Sequence, residues 1–145
     1  MVILPYESRH HDAVAALWFA SARSISLPFV GDLTYAELHS RIPEEIASGW
    51  AVHLGWRGDT LVGFLALLPD VSRLDQLFIL PQAQRSGCGA ELLDFAKRSM
   101  PEGMWLGTAF DSVGSRRFYE KHGFRVREIG VHPRLGYPTI TYHWP

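Results

Sequence analysis

The sequence predicts an α/β (α+β) domain with a mixed central sheet of about six to seven strands and about four flanking helices. Two observations support this prediction. Stretches with the period of a strand and stretches with the period of a helix follow one another in the order β-α-α-β-β-β-α-β-α-β-β. An apolar stretch, a glycine-rich loop and an amphipathic stretch lie in the middle of the chain, as in a strand that leads into a helix. We expect residues 1–145 to form a single domain.

The first part of the chain is predicted to form a short strand and a helix. Residues 2–5 form the strand, and Ser8 or Asp12 is placed to cap the helix. The apolar face of this helix is predicted at Ala13, Ala16, Leu17 and Ala20, widened by Trp18 and Phe19. Residues 24–32 contain a proline and a glycine and are predicted to form a loop.

A second helix is predicted to begin after this loop. Thr34 and Glu37 have the spacing of a capping box, in which each residue satisfies a backbone N–H of the first turn. The helix is expected to run to about residue 48. Pro43 lies inside this stretch and either kinks the helix or divides it into two pieces.

The rest of the chain is predicted to form strands with two helices between them. The strands are predicted at residues 50–57, 60–68, 73–80, 104–109, 124–131 and 139–143. Gly58 and Asp59 form a hairpin turn between the first two of these strands. One helix, of residues 89–100, is predicted to bury Leu92, Leu93, Ala96 and Met100. The other, of residues 112–122, ends at Gly123.

Composition and charge exclude several classes of protein. The chain is 47% hydrophobic and 20% charged, which is typical of a folded domain with a buried core. The net charge is -1 and the basic residues are scattered, so we expect neither nucleic acid nor a membrane as a partner. The single cysteine, Cys88, cannot form an internal disulfide, and the sequence shows no leader or membrane-spanning stretch. We therefore expect a cytoplasmic protein.

The loop of residues 84–89, Gln-Arg-Ser-Gly-Cys-Gly, is the most informative part of the sequence. A glycine loop that opens a helix directs several backbone N–H groups and the positive end of the helix dipole at one point, which suits a phosphate. Ala90 and Glu91 stand where a Walker motif requires lysine and then serine or threonine. Leu92 stands where the dinucleotide fingerprint requires its third glycine. ATP, GTP, NAD and FAD are therefore not the expected ligands.

Two blocks of the sequence resemble the GNAT superfamily of N-acetyltransferases. The family's pyrophosphate loop, which binds acetyl-CoA, has the pattern Gln/Arg-x-x-Gly-x-Gly/Ala. Its defined positions are filled here by Gln84, Gly87 and Gly89. Residues 77–81 match the strand before that loop, and residues 112–124 are similar to the family's Asn-x-x-Ala-x-x-Phe/Leu-Tyr-x-x-x-Gly-Phe block. The resemblance covers the chain from about Val2 onwards and implies the GNAT fold.

The resemblance also implies which residues contact acetyl-CoA. They are Leu77, Phe78, Ile79, Gln84, Arg85, Ser86, Gly87, Cys88, Gly89, Ala90, Ser112, Phe118 and Tyr119. In the family, the strand before the loop splays away from the next parallel strand. The N–H of Leu77 would then polarise the acetyl carbonyl, and the main chain of Ile79 would bind the pantetheine amide. Ser112 replaces the usual asparagine, which shortens or removes one contact, and Phe118 is equally explained as a core residue.

Acetyl transfer from a thioester to an amine requires an acid for the leaving thiolate and a base for the amine. Tyr119 matches the tyrosine that protonates the thiolate in the family, and a simply packed ring is the alternative. Alternation along the strand places on one face Arg73, Asp75, Leu77 and Ile79. Asp75 is therefore the candidate base or anchor for a water that acts as base, and a solvated or ion-paired carboxylate is the alternative.

No metal is expected, because the seven histidines and the cysteine lack the spacing of a ligand set. His53 lies on a strand predicted to border the acceptor cleft, and His132 lies in a late loop, so these two are weaker candidates for the site. Cys88 inside the loop is expected to be a spacer rather than a nucleophile.

The sequence thus predicts an acetyl-CoA-dependent N-acetyltransferase whose acceptor is a primary amine of a small molecule or a protein. The alternative is a non-catalytic GNAT-fold module that binds an acyl-CoA as a sensor or a subunit. Residues 21–35 and 132–138 are the least regular parts and are expected to select the acceptor. The C-terminal strand is available to pair across a homodimer.

Overall fold

A mixed sheet of seven strands forms the centre of the molecule. The computed structural model describes residues 1–24 and 33–145. The strands are β1 (Val2–Pro5), β2 (Ala51–Arg57), β3 (Thr60–Leu68), β4 (Arg73–Ile79), β5 (Met104–Ala109), β6 (Arg125–Val131) and β7 (Pro138–Trp144). They lie in the order β1-β2-β3-β4-β5-β7-β6, and neighbours are antiparallel except β4 and β5, which are parallel.

Helices cover both faces of this sheet. They are α1 (His11–Arg23), α2 (Tyr35–Ala47), α3 (Cys88–Ser99) and α4 (Val113–Lys121). The predicted order of strands and helices is confirmed, and the strands and the last three helices begin and end within one residue of their predicted bounds. The mixed sheet with its four helices is the predicted GNAT fold.

Each face of the sheet has its own hydrophobic core. Beneath α1 and α2, the rings of Trp18, Trp50 and Phe64 pack with centroids 5.7 to 6.3 Å apart. Beneath α3 and α4, Leu92 and Tyr119 pack against the inner strands. Because interiors are close-packed, the central strands are held in place from both sides.

The predicted cap of α1 is wrong. Neither Ser8 nor Asp12 caps this helix, and its N-cap is His10, whose side chain makes no capping hydrogen bond. A short 3-10 turn, Ser8–His10, precedes the helix and is itself capped by Glu7. Ser8, which the sequence pattern assigned to the cap of α1, therefore lies in this turn.

The predicted apolar face of α1 is also wrong at its alanines. Leu17 is buried, but Ala20 is half-buried, and Ala13 and Ala16 are exposed. The residues that α1 buries are Val14, Ala15, Leu17, Trp18, Ser21 and Ala22. Burying a valine and a tryptophan removes far more apolar surface from water than burying alanines, so the larger side chains decide which face turns inward.

Helix α2 begins as predicted and is not divided by its proline. Thr34 caps it by accepting a hydrogen bond from the N–H of Glu37 at 3.1 Å, which is one half of the predicted capping box. Among the described residues, the Glu37 side chain makes no return bond to the N–H of Thr34. Pro43 lies inside the helix and has no N–H, so the carbonyl of His39, four residues earlier, has no helical donor. His11 Nε2 lies 2.6 Å from that carbonyl oxygen and supplies the missing donor from α1. A tertiary contact therefore lets α2 continue through Pro43.

The loop predicted at residues 24–32 lies, apart from Ser24, outside the described residues. Within the two described ranges, no helix is both long enough and apolar enough to cross a membrane.

Gly63 on β3 is predicted to resist substitution, because core side chains occupy the space of its missing Cβ. A Cβ there would lie 2.8 Å from Cδ1 of Ile79 and 2.8 Å from Cδ1 of Leu92. We expect Gly63→Ala to lower the free energy of unfolding by about 1–3 kcal/mol, measured by urea denaturation. Gly55→Ala is the matched control, since its Cβ would meet only the flexible side chain of Met1, and it should change stability by less than about 1 kcal/mol. Equal losses for the two variants would contradict tight packing at Gly63.

Candidate active site

The glycine loop follows β4 and a 3-10 turn (Pro81–Ala83) and leads directly into α3. Gly87 is the N-cap of α3 and has φ +89°, a conformation that glycine adopts without strain. Arg85 also has a positive φ, 63°. No side chain caps α3, and in the described part of the chain the N–H groups of residues 87–90 have no acceptor. Free donors and the positive end of the helix dipole make this terminus suitable for an anion.

Neighbouring residues hold the loop in shape. The Ser86 hydroxyl donates to the carbonyl of Ala83, and the guanidinium of Arg57 donates to the carbonyl of Ser86 at 3.2 Å. Cys88 is 1% exposed and packs with Val62 and Ala83. Its thiol is thus part of the packing under the loop.

Strands β4 and β5 separate next to this loop. Among the described residues they pair at one position, Arg73 with Trp105, close to the start of both strands. On its other side, β4 stays paired with β3 as far as Ile79. The edge of β4 that faces β5 is therefore open beyond Arg73, and we call the space between the two strands the β4/β5 gap. This separation is the one that the resemblance implies.

The main-chain groups of alternate β4 residues face this gap. The N–H of Leu80 donates to the carbonyl of Val62 on β3 at 2.7 Å. Because such bonds alternate along an antiparallel pair, the main chain of Phe78 also faces β3, whereas those of Leu77 and Ile79 face the gap. The ring of Phe78 packs in the core beneath α1 and α2. Of the three β4 residues expected to contact the cofactor, Phe78 thus presents neither main chain nor side chain to the gap.

The face predicted for β4 by strict alternation is wrong, because the strand contains a bulge. The register with β3 skips Asp75, which is an extra residue without a partner there. Leu77 and Ile79 pack toward the core beneath α3 and α4. Arg73 pairs with Leu68 of the core beneath α1 and α2, and Asp75 reaches a tryptophan of that same core. One extra residue therefore places Asp75 and Leu77 on opposite faces of the sheet.

One hydrogen-bond donor, Trp50, and one cation, Arg73, contact the carboxylate of Asp75. Trp50 Nε1 donates to Oδ2 at 2.7 Å, and Arg73 Nε lies 3.3 Å from Oδ1. The Asp75 side chain is 14% exposed, and the Arg73 guanidinium lies over the ring of Trp105, 4.6 Å from its centroid. The carboxylate is ion-paired, as the alternative interpretation expects, and its role as a base stays a prediction.

Tyr119 lies in α4 and is 8% exposed. Its ring packs against those of Phe118, Phe124 and Tyr142, with centroids 5.2 to 6.5 Å away. Burial raises the pKa of the Tyr119 phenol, because the charged phenolate would lose its hydration. The side chain therefore remains protonated at neutral pH, which is the state that a proton donor requires.

The two sequence blocks meet at the loop. The ring of Phe118 in α4 lies against Gly89, 3.4 Å from the point where a Cβ would be. Ser112 is the N-cap of α4, and its hydroxyl donates to the hydroxyl of Ser115 at 2.9 Å. Phe118 thus brings α4 to the start of α3, and the Ser112 side chain already has a partner inside its own helix.

The two weaker histidine candidates, His53 and His132, each have contacts that give them a structural role. His53 packs against Phe95 of α3, with ring centroids 4.6 Å apart, and β3 separates its strand from β4. It therefore lies away from the gap. Its Nδ1 is buried without a hydrogen-bond partner in the described ranges, and burial lowers the pKa of the imidazole. His132 Nδ1 accepts from the N–H groups of Arg134 and Leu135 and so organises the turn between β6 and β7.

One cluster with two histidines could not be recognised from the spacing in the sequence. His11, Asp12 and His39 bring candidate ligand atoms within 4.8 Å of one another. His39 Nε2 lies 2.8 Å from Asp12 Oδ1, and the two imidazoles are stacked, 3.7 Å apart at 19°. Ring lone pairs lie in the ring plane, so stacked rings direct them in parallel rather than at one ion. The cluster joins α1 to α2, and its sequence signal is Pro43, which frees the His39 carbonyl.

The fold and the open helix terminus define an α/β protein with a glycine loop suited to an anion beside a gap in its sheet. Residues 28–131 match the family model of the acetyltransferase (GNAT) domain. The match covers most of the chain, which therefore belongs to the GNAT acetyltransferase family.

One relative is similar to this chain in sequence, and others are similar to it in structure. A segment of 84 residues is 31% identical to Rv2775 of Mycobacterium tuberculosis, named a probable N-acetyltransferase, and covers 54% of this chain and 48% of that protein. The match thus spans about half of the length of that relative. A GCN5-related N-acetyltransferase from Rhodopseudomonas palustris has a TM-score of 0.77 at 16% identity over 99% of this chain and 94% of its own. An acetyl-CoA-bound GNAT family acetyltransferase from Elizabethkingia anophelis has a TM-score of 0.69 at 16% identity, over 99% and 96%. These structural similarities show the fold.

The buried imidazole of His53 predicts how stability depends on pH. Its pKa is lowered in the folded protein, whereas the unfolded chain takes up the proton near the ordinary value of about 6.5. Above that pH neither state is protonated and the residue has no effect, and below it the unfolded state is favoured. We expect wild type to lose more unfolding free energy than His53→Gln between about pH 7.5 and about pH 5.5, measured by urea denaturation. Parallel losses would show that His53 does not titrate differently in the two states.

Proposed function

We propose that the chain is an acetyl-CoA-dependent N-acetyltransferase that acetylates a primary amine of a small molecule or a protein, and that residues 1–145 act as one domain. One observation carries the proposal: the uncapped N-terminus of α3 lies beside the β4/β5 gap. Free N–H groups suit the diphosphate of coenzyme A, and an unpaired strand edge suits the amides of its pantetheine arm.

The residues at the loop fit such a ligand. A Cβ on Gly87 would meet nothing within 4 Å, so the backbone is open to solvent on that side. Residues 87–90 supply the free N–H groups, and Arg85 adds a positive charge to the same loop. The acetyl-CoA in the related structure from Elizabethkingia anophelis supports this choice of ligand.

Acetyl-CoA supplies an acetyl thioester, whose C–S bond breaks as the acceptor nitrogen bonds the acetyl carbon. The N–H of Leu77 faces the gap and donates to the acetyl oxygen, which gains negative charge during attack. Tyr119 gives its phenolic proton to the departing sulfur. Asp75 takes the proton that the amine loses, directly or through a water. The bulge places Asp75 toward α1 and α2, on the side where the acceptor is expected to enter.

Two measurements test the proposal. Calorimetry should show that wild type binds acetyl-CoA. A thiol-release assay with polyamines, aminoglycosides and peptides bearing free α-amino or lysine groups should then show turnover with one of them. Binding without turnover for every amine would favour the non-catalytic module, and absence of binding would contradict both interpretations.

Tyr119→Phe is the variant that tests the acid in the same assay. We expect the Kd for acetyl-CoA to stay within about twofold, because the ring still packs, and kcat to fall at least about fivefold, because the sulfur loses its proton donor. Tyr142→Phe is the matched control, since it removes another buried tyrosine hydroxyl, one that bonds to Glu120. Its kcat should stay near that of wild type. Unchanged turnover in Tyr119→Phe would remove Tyr119 from the mechanism.

Asp75→Asn tests the base. Asparagine keeps an oxygen that accepts from Trp50 Nε1 but cannot take a proton, so kcat/KM should fall about 100-fold and the acidic limb of the pH–rate profile should change. Trp50→Phe removes the donor and keeps the carboxylate, and it should have a smaller effect. An unaltered pH–rate profile in Asp75→Asn would show that Asp75 only joins β4 to Trp50.

A further inference from the structure

Apart from tyrosines, Ser21 carries the one side-chain hydroxyl of residues 1–24 and 33–145 that is buried, and the residue is 2% exposed. Its hydroxyl donates to the carbonyl of Ile79 at 2.8 Å and so joins the last turns of α1 to the end of β4. A buried hydroxyl is costly without a partner, so this bond is the reason that a serine can lie there.

The acceptor of this bond, the Ile79 carbonyl, lies at the β4/β5 gap. The alternation along β4 directs it away from β3 and toward the gap. A second donor, Gln84 Nε2 of the glycine loop, reaches the same oxygen at 3.3 Å. A carbonyl oxygen has two lone pairs, so both of its acceptor positions are used by side chains of this chain.

The two donors differ in how firmly they are held. Ser21 is buried in α1, and its bond to Ile79 is the shorter of the two. Gln84 is exposed, and its amide can exchange this long bond for water. A ligand N–H that approaches the Ile79 carbonyl from the gap can therefore take the place of Gln84 but not that of Ser21.

We propose that Ser21 is a positioning residue that holds the Ile79 carbonyl for a pantetheine amide N–H, and that this N–H displaces the side-chain amide of Gln84. The inference rests on the proposed function, because it needs the pantetheine arm to lie in the β4/β5 gap. Helix α1, which contains Ser21 and lies outside both sequence blocks, thereby takes part in cofactor binding. Loss of Ser21 leaves the phosphate-binding loop intact and weakens only the contact in the gap.

Calorimetric titrations with two ligands distinguish a weakened contact in the gap from a weakened contact at the loop. Acetyl-CoA uses both loop and gap, whereas adenosine 3′-phosphate 5′-diphosphate, its nucleotide half, uses only the loop. Ser21→Ala should raise the Kd for acetyl-CoA about three- to tenfold and leave that for the nucleotide within about twofold. Gln84→Leu removes the competing donor, so the ratio of the acetyl-CoA Kd to the nucleotide Kd should fall below that of wild type.

Ser99→Ala is the matched control. Ser99 also lies in the last turn of a helix and donates its hydroxyl to a carbonyl, that of Phe95, at 2.9 Å, but it is exposed and does not reach Ile79. Its two Kd values should equal those of wild type. If Ser21→Ala does not fold, Ser21→Cys, with a weaker donor of similar size, should give a smaller rise for acetyl-CoA alone. An unchanged Kd ratio in the Ser21 variants would overturn the inference, whereas a wild type that binds neither ligand would overturn the proposed function.

Discussion

The separation of β4 from β5 is the constraint on which the site depends. Parallel strands normally exchange a regular ladder of hydrogen bonds, and here that ladder stops after Arg73 and Trp105. The N–H and C=O groups left on β4 need partners, because an unpaired buried backbone group is costly. Some of these groups are bonded by side chains of this chain, as the Ile79 carbonyl is by Ser21 and Gln84. The others are available to a ligand with amides of its own.

β4 keeps its position without a full second partner because both faces of the sheet are packed. Phe78 is fixed in the core beneath α1 and α2, and Leu77 is fixed on the opposite side. The bulge at Asp75 then gives the two halves of β4 different orientations. Its carboxylate lies on the side of α1 and α2, while the main-chain groups of Leu77 and Ile79 beyond it face the gap. A single inserted residue thus places the side chain of the proposed base, Asp75, on the face of the sheet opposite to that of Leu77.

The features predicted well from the sequence are those whose causes are local. The glycine loop at the start of α3 was predicted from the residues themselves, and in the structure Gly87 takes a positive φ there. Thr34 caps α2 because its partner is three residues away. The cap of α1 failed because a 3-10 turn competes for Ser8. Its face failed at the alanines because Val14 turns inward together with Trp18 to fill a core built from distant strands. The bulge at Asp75 has no local sequence signal and appears only in the register with β3.

The sequence by itself determined the order of the elements, the glycine loop at the start of α3 and the two blocks that mark the family. The order of the elements and the glycine loop depend on periodicity and backbone preference over a few residues, whereas the two blocks mark the family through their resemblance to its motifs. The tertiary structure alone decided that Ser21 meets Ile79, that Trp50 holds Asp75 and that His11 supports the helix at Pro43. Such contacts join residues far apart in the chain, and they form because the packing of both cores fixes how helices lie on the sheet.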